Sequence, residues 1–270
     1  MRWTMRWTMA VCAVAVLTAC APGGDQAATG EAAGSAGVAD GDPLAAAAAT
    51  ITPEDYRARL EVIAHDSMRG RFTPSPELEE VAAWIRDRFE SFGLEAFEQR
   101  YELSEFARSP IVDAEGNPVT APNTVGILRG SDPELADEYV VFSAHMDHVG
   151  VGRPDASGDS IYNGADDDGS GTTAIVELAE AFASLPTPPR RSLIFVTVSG
   201  EERGLWGSAW FASHMPVPAE AVVADLNIDM IGRNWPDTIV AIGRQQSELG
   251  PILEEVNAAH PELGMTAIDD

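Results

Sequence analysis

Apolar residues recur along this chain in two different rhythms. Between Glu77 and Gly93, the residues Val81, Trp84, Ile85, Phe89 and Phe92 return every three or four positions, and Gly93 ends the pattern; this is the spacing of one helix face. An earlier helix is predicted to run to about Ala64, because Thr52 offers a capping oxygen and Pro53 suits a first helical position. Beyond Gly93 the rhythm changes. Apolar runs at 124–128, 139–143, 193–198 and 222–228 read as buried strands, and Ile175, Leu178, Ala179 and Phe182 mark a helix over about 172–184. Helical stretches are also predicted for 206–213 and for a segment ending near His260. The alternation predicts an α/β sandwich, and in open α/β sheets ligands gather at the carboxyl ends of strands.

Composition narrows the partners. With 270 residues and 45% hydrophobic content the chain can bury one sizeable core. Its 17 Lys and Arg stand against 43 Asp and Glu, a formal charge of −26, which excludes a basic nucleic-acid reader and disfavours an anionic membrane surface. No Gly-x-Ser-x-Gly elbow occurs, which disfavours a serine hydrolase.

The first residues read as a targeting segment rather than as fold. Arg2 and Arg6 precede an apolar stretch from Met9 to Thr18 that is too short to span a membrane. Leu17-Thr18-Ala19-Cys20 resembles a bacterial lipobox, which implies cleavage before Cys20, lipidation of that residue and anchoring at the cell envelope; plain secretion is the alternative. Cys12 lies within the signal, so one cysteine remains and no internal disulfide is expected. Residues 20–50, rich in Ala, Gly and Asp, read as a flexible tether. The predicted organisation is therefore a signal at 1–19, a tether at 20–50 and a folded domain at 51–270.

Candidate chemistry sits where apolar runs stop. His145 ends one run and offers a nitrogen ligand; Asp147, two residues on in an extended segment, falls on the same side and can fix its tautomer. The triple acid Asp166-Asp167-Asp168 is open to three readings: a solvated cluster, a calcium loop or a carboxylate bridging two metals. Glu201-Glu202 follows the most apolar run and permits a division of labour, one acid ligating metal and the other moving a proton. Asp229 ends another run, where an unpaired buried carboxylate would be costly and a metal would remove that cost.

Together these segments resemble the co-catalytic dizinc aminopeptidases, whose relatives include glutamate carboxypeptidases and secretory glutaminyl cyclases. The resemblance runs from about Ile51 to the end of the chain. It rests on Ser67-Met68-Arg69-Gly70-Arg71, Asn123-Thr124-Val125-Gly126, Ala144-His145-Met146-Asp147-His148, Asn163 to Gly171, Gly200-Glu201-Glu202-Arg203-Gly204-Leu205 with Gly207-Ser208, and Asn227-Ile228-Asp229-Met230-Ile231-Gly232. It implies a three-layer α/β/α sandwich around a mixed, largely parallel sheet. It also implies two zinc ions, with His145 and Asp229 on one, Glu202 on the other and Asp167 bridging them. Glu201 is implied as general base and Asp147 as the residue orienting His145, in an enzyme that acts on peptides.

Two departures from the family pattern stand out. Asp168 occupies a slot that the family fills with Asn. The family's histidine on the second zinc comes from a downstream Asp-His segment, and the only later histidine here is His260, which reads as a surface residue. The expectation is therefore a catalytic domain incomplete at its C-terminus with a weak second metal site. His148 is open between a group near the substrate and a solvent-exposed one. An aminopeptidase is the leading expectation, a glutaminyl cyclase or carboxypeptidase on the same scaffold the next, and a non-catalytic binding lipoprotein the third.

Overall fold

The computed structural model describes residues 42–269. The signal, Cys20 and most of the expected tether lie outside the described residues. The described residues include nine ahead of Ile51. A short helix, α1 (Pro43–Ala48), is capped by Asp42, whose Oδ1 accepts the Leu44 N–H at 2.9 Å, and it buries Ala47. An Asp followed by Pro is a start signal that low hydrophobicity had masked.

Next come α2 (Pro53–Ile63), capped by Thr52, and α3 (Pro76–Ser91), capped by Ser75. The α3 face buries Leu78, Val81, Ala82, Ile85 and Phe89, and Gly93 leaves the helix at φ +86°. A five-stranded sheet follows: β1 (Glu95–Glu102), β2 (Thr120–Leu128), β3 (Tyr139–His145), β4 (Ser192–Val198) and β5 (Val222–Asn227), in the order β1-β2-β4-β3-β5. Pairings β1–β2 and β2–β4 are antiparallel, while β4–β3 and β3–β5 are parallel. The sheet is mixed as expected, with a smaller parallel share than the resemblance implied. Helices α4 (Gly169–Ala183) and α5 (Trp206–Ser213) complete the connections.

Alternation along β4 builds two cores from one strand. Leu193 and Phe195 pack with α3 and α4 residues on one face, whereas Ile194, Val196 and Val198 pack with Phe211 of α5 on the other. Phe195 meets the rings of Phe89, Phe142 and Phe182 with centroids 6.3, 5.5 and 6.2 Å away. Truncating such a buried ring costs about 3–5 kcal/mol. Helices on both faces make the three-layer α/β/α sandwich.

Among the described residues strand β5, read as buried from its composition, pairs with β3 on one side, and Val223 is exposed. Strand β1 was missed because its residues, Glu95-Ala96-Phe97-Glu98-Gln99-Arg100-Tyr101-Glu102, are mostly polar; paired on one side, it needs little apolar surface. Beyond β5, a two-stranded parallel ribbon, β6 (Thr238–Val240) with β7 (Thr266–Ile268), flanks α6 (Leu249–Ala259). Among the described residues no helix is long and apolar enough to cross a membrane.

Candidate metal centre

Strands β3, β4 and β5 run parallel, so their carboxyl ends meet at one rim. His145 is the last residue of β3, Glu201 and Glu202 lie just past β4, and Asp229 lies two residues past β5. Asp167 reaches the same rim from the loop that opens α4. The structure thus brings together five of the predicted site residues, with Asp147 beneath them.

Two groups of donors form there. His145, Asp167 and Asp229 make one; His148, Asp167 and Glu202 make the other; within each, the donor atoms lie within 4.8 Å of one another. Asp167 belongs to both. His145 Nε2 is 3.2 Å from Asp167 Oδ1, 3.8 Å from Asp229 Oδ2 and 3.9 Å from Glu201 Oε2. His148 Nδ1 is 2.7 Å from Glu202 Oε1 and 3.9 Å from Asp167 Oδ2. No ligand role for His148 is legible in the sequence, since a residue three past His145 on an extended segment falls on the opposite side.

The loops are braced from below. His145 is almost fully buried, with its backbone N–H donating to Asp168 Oδ2 at 3.2 Å and its carbonyl accepting the Thr172 hydroxyl at 2.8 Å. Its Nδ1 faces the backbone oxygen of Asp147 at 3.2 Å, closer than the Asp147 carboxylate at 3.6 Å. Both the carbonyl and the carboxylate of Asp147 thus face the ring of His145. The carboxylate, fully buried, also holds the neighbouring loop: Oδ1 accepts the Glu201 N–H at 3.2 Å, and Oδ2 accepts the Thr73 hydroxyl at 2.9 Å. That hydroxyl oxygen in turn accepts the Gly200 N–H at 3.0 Å.

Asp168 caps α4 through the Gly171 N–H at 2.8 Å and accepts the Met230 N–H at 3.2 Å, tying the acidic loop to the segment carrying Asp229. Burial drives its pKa well above the ordinary carboxylate range. The acid in the slot where the family has Asn is thus a structural brace facing backbone amides. Gly171 is required by close approach, since a Cβ there would meet the Ile228 carbonyl at 2.1 Å.

Arg71 explains the Ser67–Arg71 motif. Its guanidinium, fully buried, donates to the carbonyls of Met146 at 2.8 Å, Ile63 at 3.1 Å and Gly164 at 2.9 Å, and also to Asn163. It links the end of α2 to both donor-bearing loops, and burial lowers its pKa to about 10. Asn123 does similar work on the other side, accepting the Ser199 N–H at 3.1 Å and donating to the Gly207 carbonyl at 2.9 Å.

The electrostatics favour a cation. Burial pulls the His145 pKa down, but Asp147, Asp167 and Asp168 overcome that and raise it to about 11. Desolvation raises the pKa of Glu201 and of Asp229, while the contact with His145 lowers that of Asp167. His148 Nδ1, Glu202 Oε1 and Asp229 Oδ1 are buried without a hydrogen-bond partner. His148 Nδ1 and Glu202 Oε1 lie 2.7 Å apart, close enough to share one ion. Unpaired buried polar atoms are costly, and imidazole with carboxylates is a donor set that suits zinc. The residues present fit the two-metal expectation.

A cavity of about 420 Å³ adjoins Asp167, walled by His148, Ile161, Tyr162, Met230 and Arg233. A larger hollow of about 560 Å³, among Phe97, Ile127, Arg129 and Val217, lies at the opposite end of β3 and contains none of the cluster acids. Donor chemistry, rather than volume, marks the site.

Fold and donor set together define a class: α/β/α proteins with a metal-binding rim built for a pair of ions sharing one carboxylate. The profile of peptidase family M28 matches residues 123–265, and the chain belongs to that family. A probable zinc metalloprotease of Leptosphaeria maculans is 33% identical over 128 residues, covering 47% of this chain and 28% of that protein. The chain spans about a quarter of the length of the curated relatives it matches. The LapA aminopeptidase of Legionella pneumophila shares the fold at a TM-score of 0.62 and 21% identity, over 84% of this chain and 56% of LapA. The glutaminyl cyclase of Porphyromonas gingivalis shares it at 0.61 and 18% identity, over 82% and 83%.

Proposed function

We propose that this protein is a zinc-dependent exopeptidase that removes the N-terminal residue of peptides. One observation carries the reading: Asp167 belongs to both donor clusters, and Glu201 stands beside them, 3.9 Å from His145, without belonging to either. A pair of zinc ions bound there would act as a Lewis acid on the scissile carbonyl and bring the pKa of water toward neutrality.

The chain's own residues supply the rest. Glu201 is half-buried, and desolvation raises its pKa, which suits a carboxylate that must accept a proton and then release it. It takes a proton from the attacking water as the carbon–oxygen bond forms, and delivers it to the amine as the carbon–nitrogen bond breaks. Asp147 fixes the Glu201 backbone and so the reach of that carboxylate. Asp166 and Asp167 wall the adjoining cavity together with Arg233, and this acidic excess supports recognition of a free α-ammonium over a carboxylate. The cavity walled by Ile161, Tyr162 and Met230 has room for the side chain of the residue removed. The Bacillus subtilis aminopeptidase YwaD, 29% identical over 117 residues, supports the choice of terminus.

Product analysis of the full-length protein on peptides with free, acetylated and amidated termini tests the reading. Release of the first residue only where the amine is free is the expected result. Loss of C-terminal residues from acetylated peptides would contradict it, and cyclisation of N-terminal Gln would identify a glutaminyl cyclase instead.

The same reading extends to location: the chain is exported and held at the bacterial envelope by lipid on Cys20, supported by Leu17-Thr18-Ala19-Cys20. Cys20→Ala should move the protein from the membrane fraction to the soluble one, and unchanged partitioning would count against anchoring.

A further inference from the structure

We infer that Arg203 is a positioning residue for Glu201: its guanidinium, held between the rings of Phe72 and Trp206, locks the turn that carries Glu201 onto the buried backbone at Thr73. This rests on the proposed role of Glu201 as the base and goes beyond it, because Arg203 belongs to neither donor cluster.

The turn is tight and needs an anchor. Gly200, Gly204 and Leu205 take φ of +70°, +106° and +65°, and the leucine holds that left-handed conformation only because its surroundings impose it. Backbone bonds close the turn on itself: the Glu201 carbonyl accepts the Gly204 and Leu205 N–H groups at 2.8 and 2.9 Å, and the Gly200 carbonyl accepts that of Trp206 at 2.9 Å. These bonds fix its shape but not its place on the rim. At its start, place comes from the Asp147 carboxylate and the Thr73 hydroxyl, which take the Glu201 and Gly200 N–H groups. Arg203 adds an attachment further along, its Nη1 donating to the Thr73 carbonyl at 3.0 Å.

The cation sits in a four-layer stack. Its Cζ lies 5.2 Å from the Phe72 ring centroid and 4.7 Å from that of Trp206, and Trp206 stacks on Phe106 with centroids 6.1 Å apart and planes 16° from parallel. A guanidinium within about 6 Å of an aromatic face is attracted by the ring quadrupole, and its planar fork can stack and donate at once. Phe72 is seated by Gly150, where a Cβ would meet the Phe72 Cβ at 2.9 Å, and Thr73 beside it is fully buried. Because Phe72 and Thr73 directly follow Arg71, the stack ties the turn to the same support that holds the donor loops. Although Arg203 follows Glu201 and Glu202 in the chain, those carboxylates face His145 and His148, while its own charge is directed to the rings and the Thr73 carbonyl. Arg203 therefore places the base rather than neutralising it.

Hydrogen exchange by mass spectrometry, peptide-hydrolysis kinetics and zinc analysis test this on the full-length protein, Arg203→Met and Arg203→Lys. In Arg203→Met the amides of 199–206 should exchange faster while those of 143–148 keep wild-type rates. Its kcat should fall roughly 10–100-fold, the usual effect of losing support behind a metal site, with KM and bound zinc within about twofold of wild type. Arg203→Lys, which keeps a charge between the rings but loses the fork, should fall between the two and guards against a methionine variant that fails to fold. Wild-type kcat and exchange in Arg203→Met would overturn the assignment. Faster exchange along the whole chain with loss of zinc would overturn it too, making Arg203 a residue of general stability. A wild type that hydrolyses no peptide would instead overturn the functional reading, and the exchange pattern alone would decide whether Arg203 holds the turn.

Discussion

The two donor clusters share Asp167 yet are held by different kinds of structure. His145 ends a central strand, is braced by Asp168, Thr172 and the Asp147 carbonyl, and is almost fully buried. His148 lies on the loop beyond, half-buried, with its ring positioned by packing against Gly164. One cluster is thus set by the sheet and the other by the fit of two loops. The sheet therefore fixes the first donor set outright, whereas the second depends on how Arg71 and Asp147 keep the loops in register.

Breaking the comparison at its shared point should have the largest effect. Asp167→Ala should abolish binding at both clusters, leaving zinc content near zero and peptide hydrolysis at background; retention of one tightly bound zinc would show that the clusters do not depend on a common carboxylate. Glu201→Gln separates chemistry from binding. Both zinc ions should remain, and kcat should fall on the order of 10²–10⁴-fold, the usual contribution of a positioned general base; a fall in zinc content alongside it would make Glu201 a ligand.

Asp147→Asn sharpens the contrast between sheet and loop. It leaves the carbonyl that faces His145 but weakens the grip on Thr73 and Glu201, so the loss should appear in kcat more than in the first zinc affinity. A reduction of roughly 10–100-fold is expected for a residue supporting a metal site, and an unchanged kcat would remove it from that role.

The smallest effect concerns a buried carboxylate with no metal cluster around it. Glu177 on α4 is 2% exposed and lies 3.3 Å from Arg59, and burial raises its pKa from 4.5 to about 7. The folded state then holds a proton that the unfolded state has already released. Stability should be greatest below pH 4.5 as far as this group is concerned, and should fall as the pH rises towards about 7. Glu177→Gln should flatten that slope in denaturant titrations; an identical slope in the variant would contradict the shift.

Much of this was legible in the residues themselves. The helical spacing of Val81, Ile85 and Phe89 and the apolar run Leu193–Val198 forecast α3 and β4, because burial on a stripe or on both faces leaves a direct imprint on composition. Edge elements leave a weaker imprint. The polar β1 leaves no apolar run in the sequence, because a strand paired on one side buries little apolar surface. At the site, His145, Glu201, Glu202 and Asp229 stood out because each ends or follows an apolar run, and Asp167 because it lies in a triple acid ahead of a helix start. His148 did not, since its position depends on Gly164 lying against the ring, a contact between residues 16 positions apart that no local pattern encodes.

The most direct measurement is anomalous diffraction at the zinc edge from crystals of the full-length protein grown with zinc. The account predicts two peaks flanking the Asp167 carboxylate, one beside His145 and Asp229 and the other beside Glu202. A single peak, or peaks away from Asp167, would contradict it.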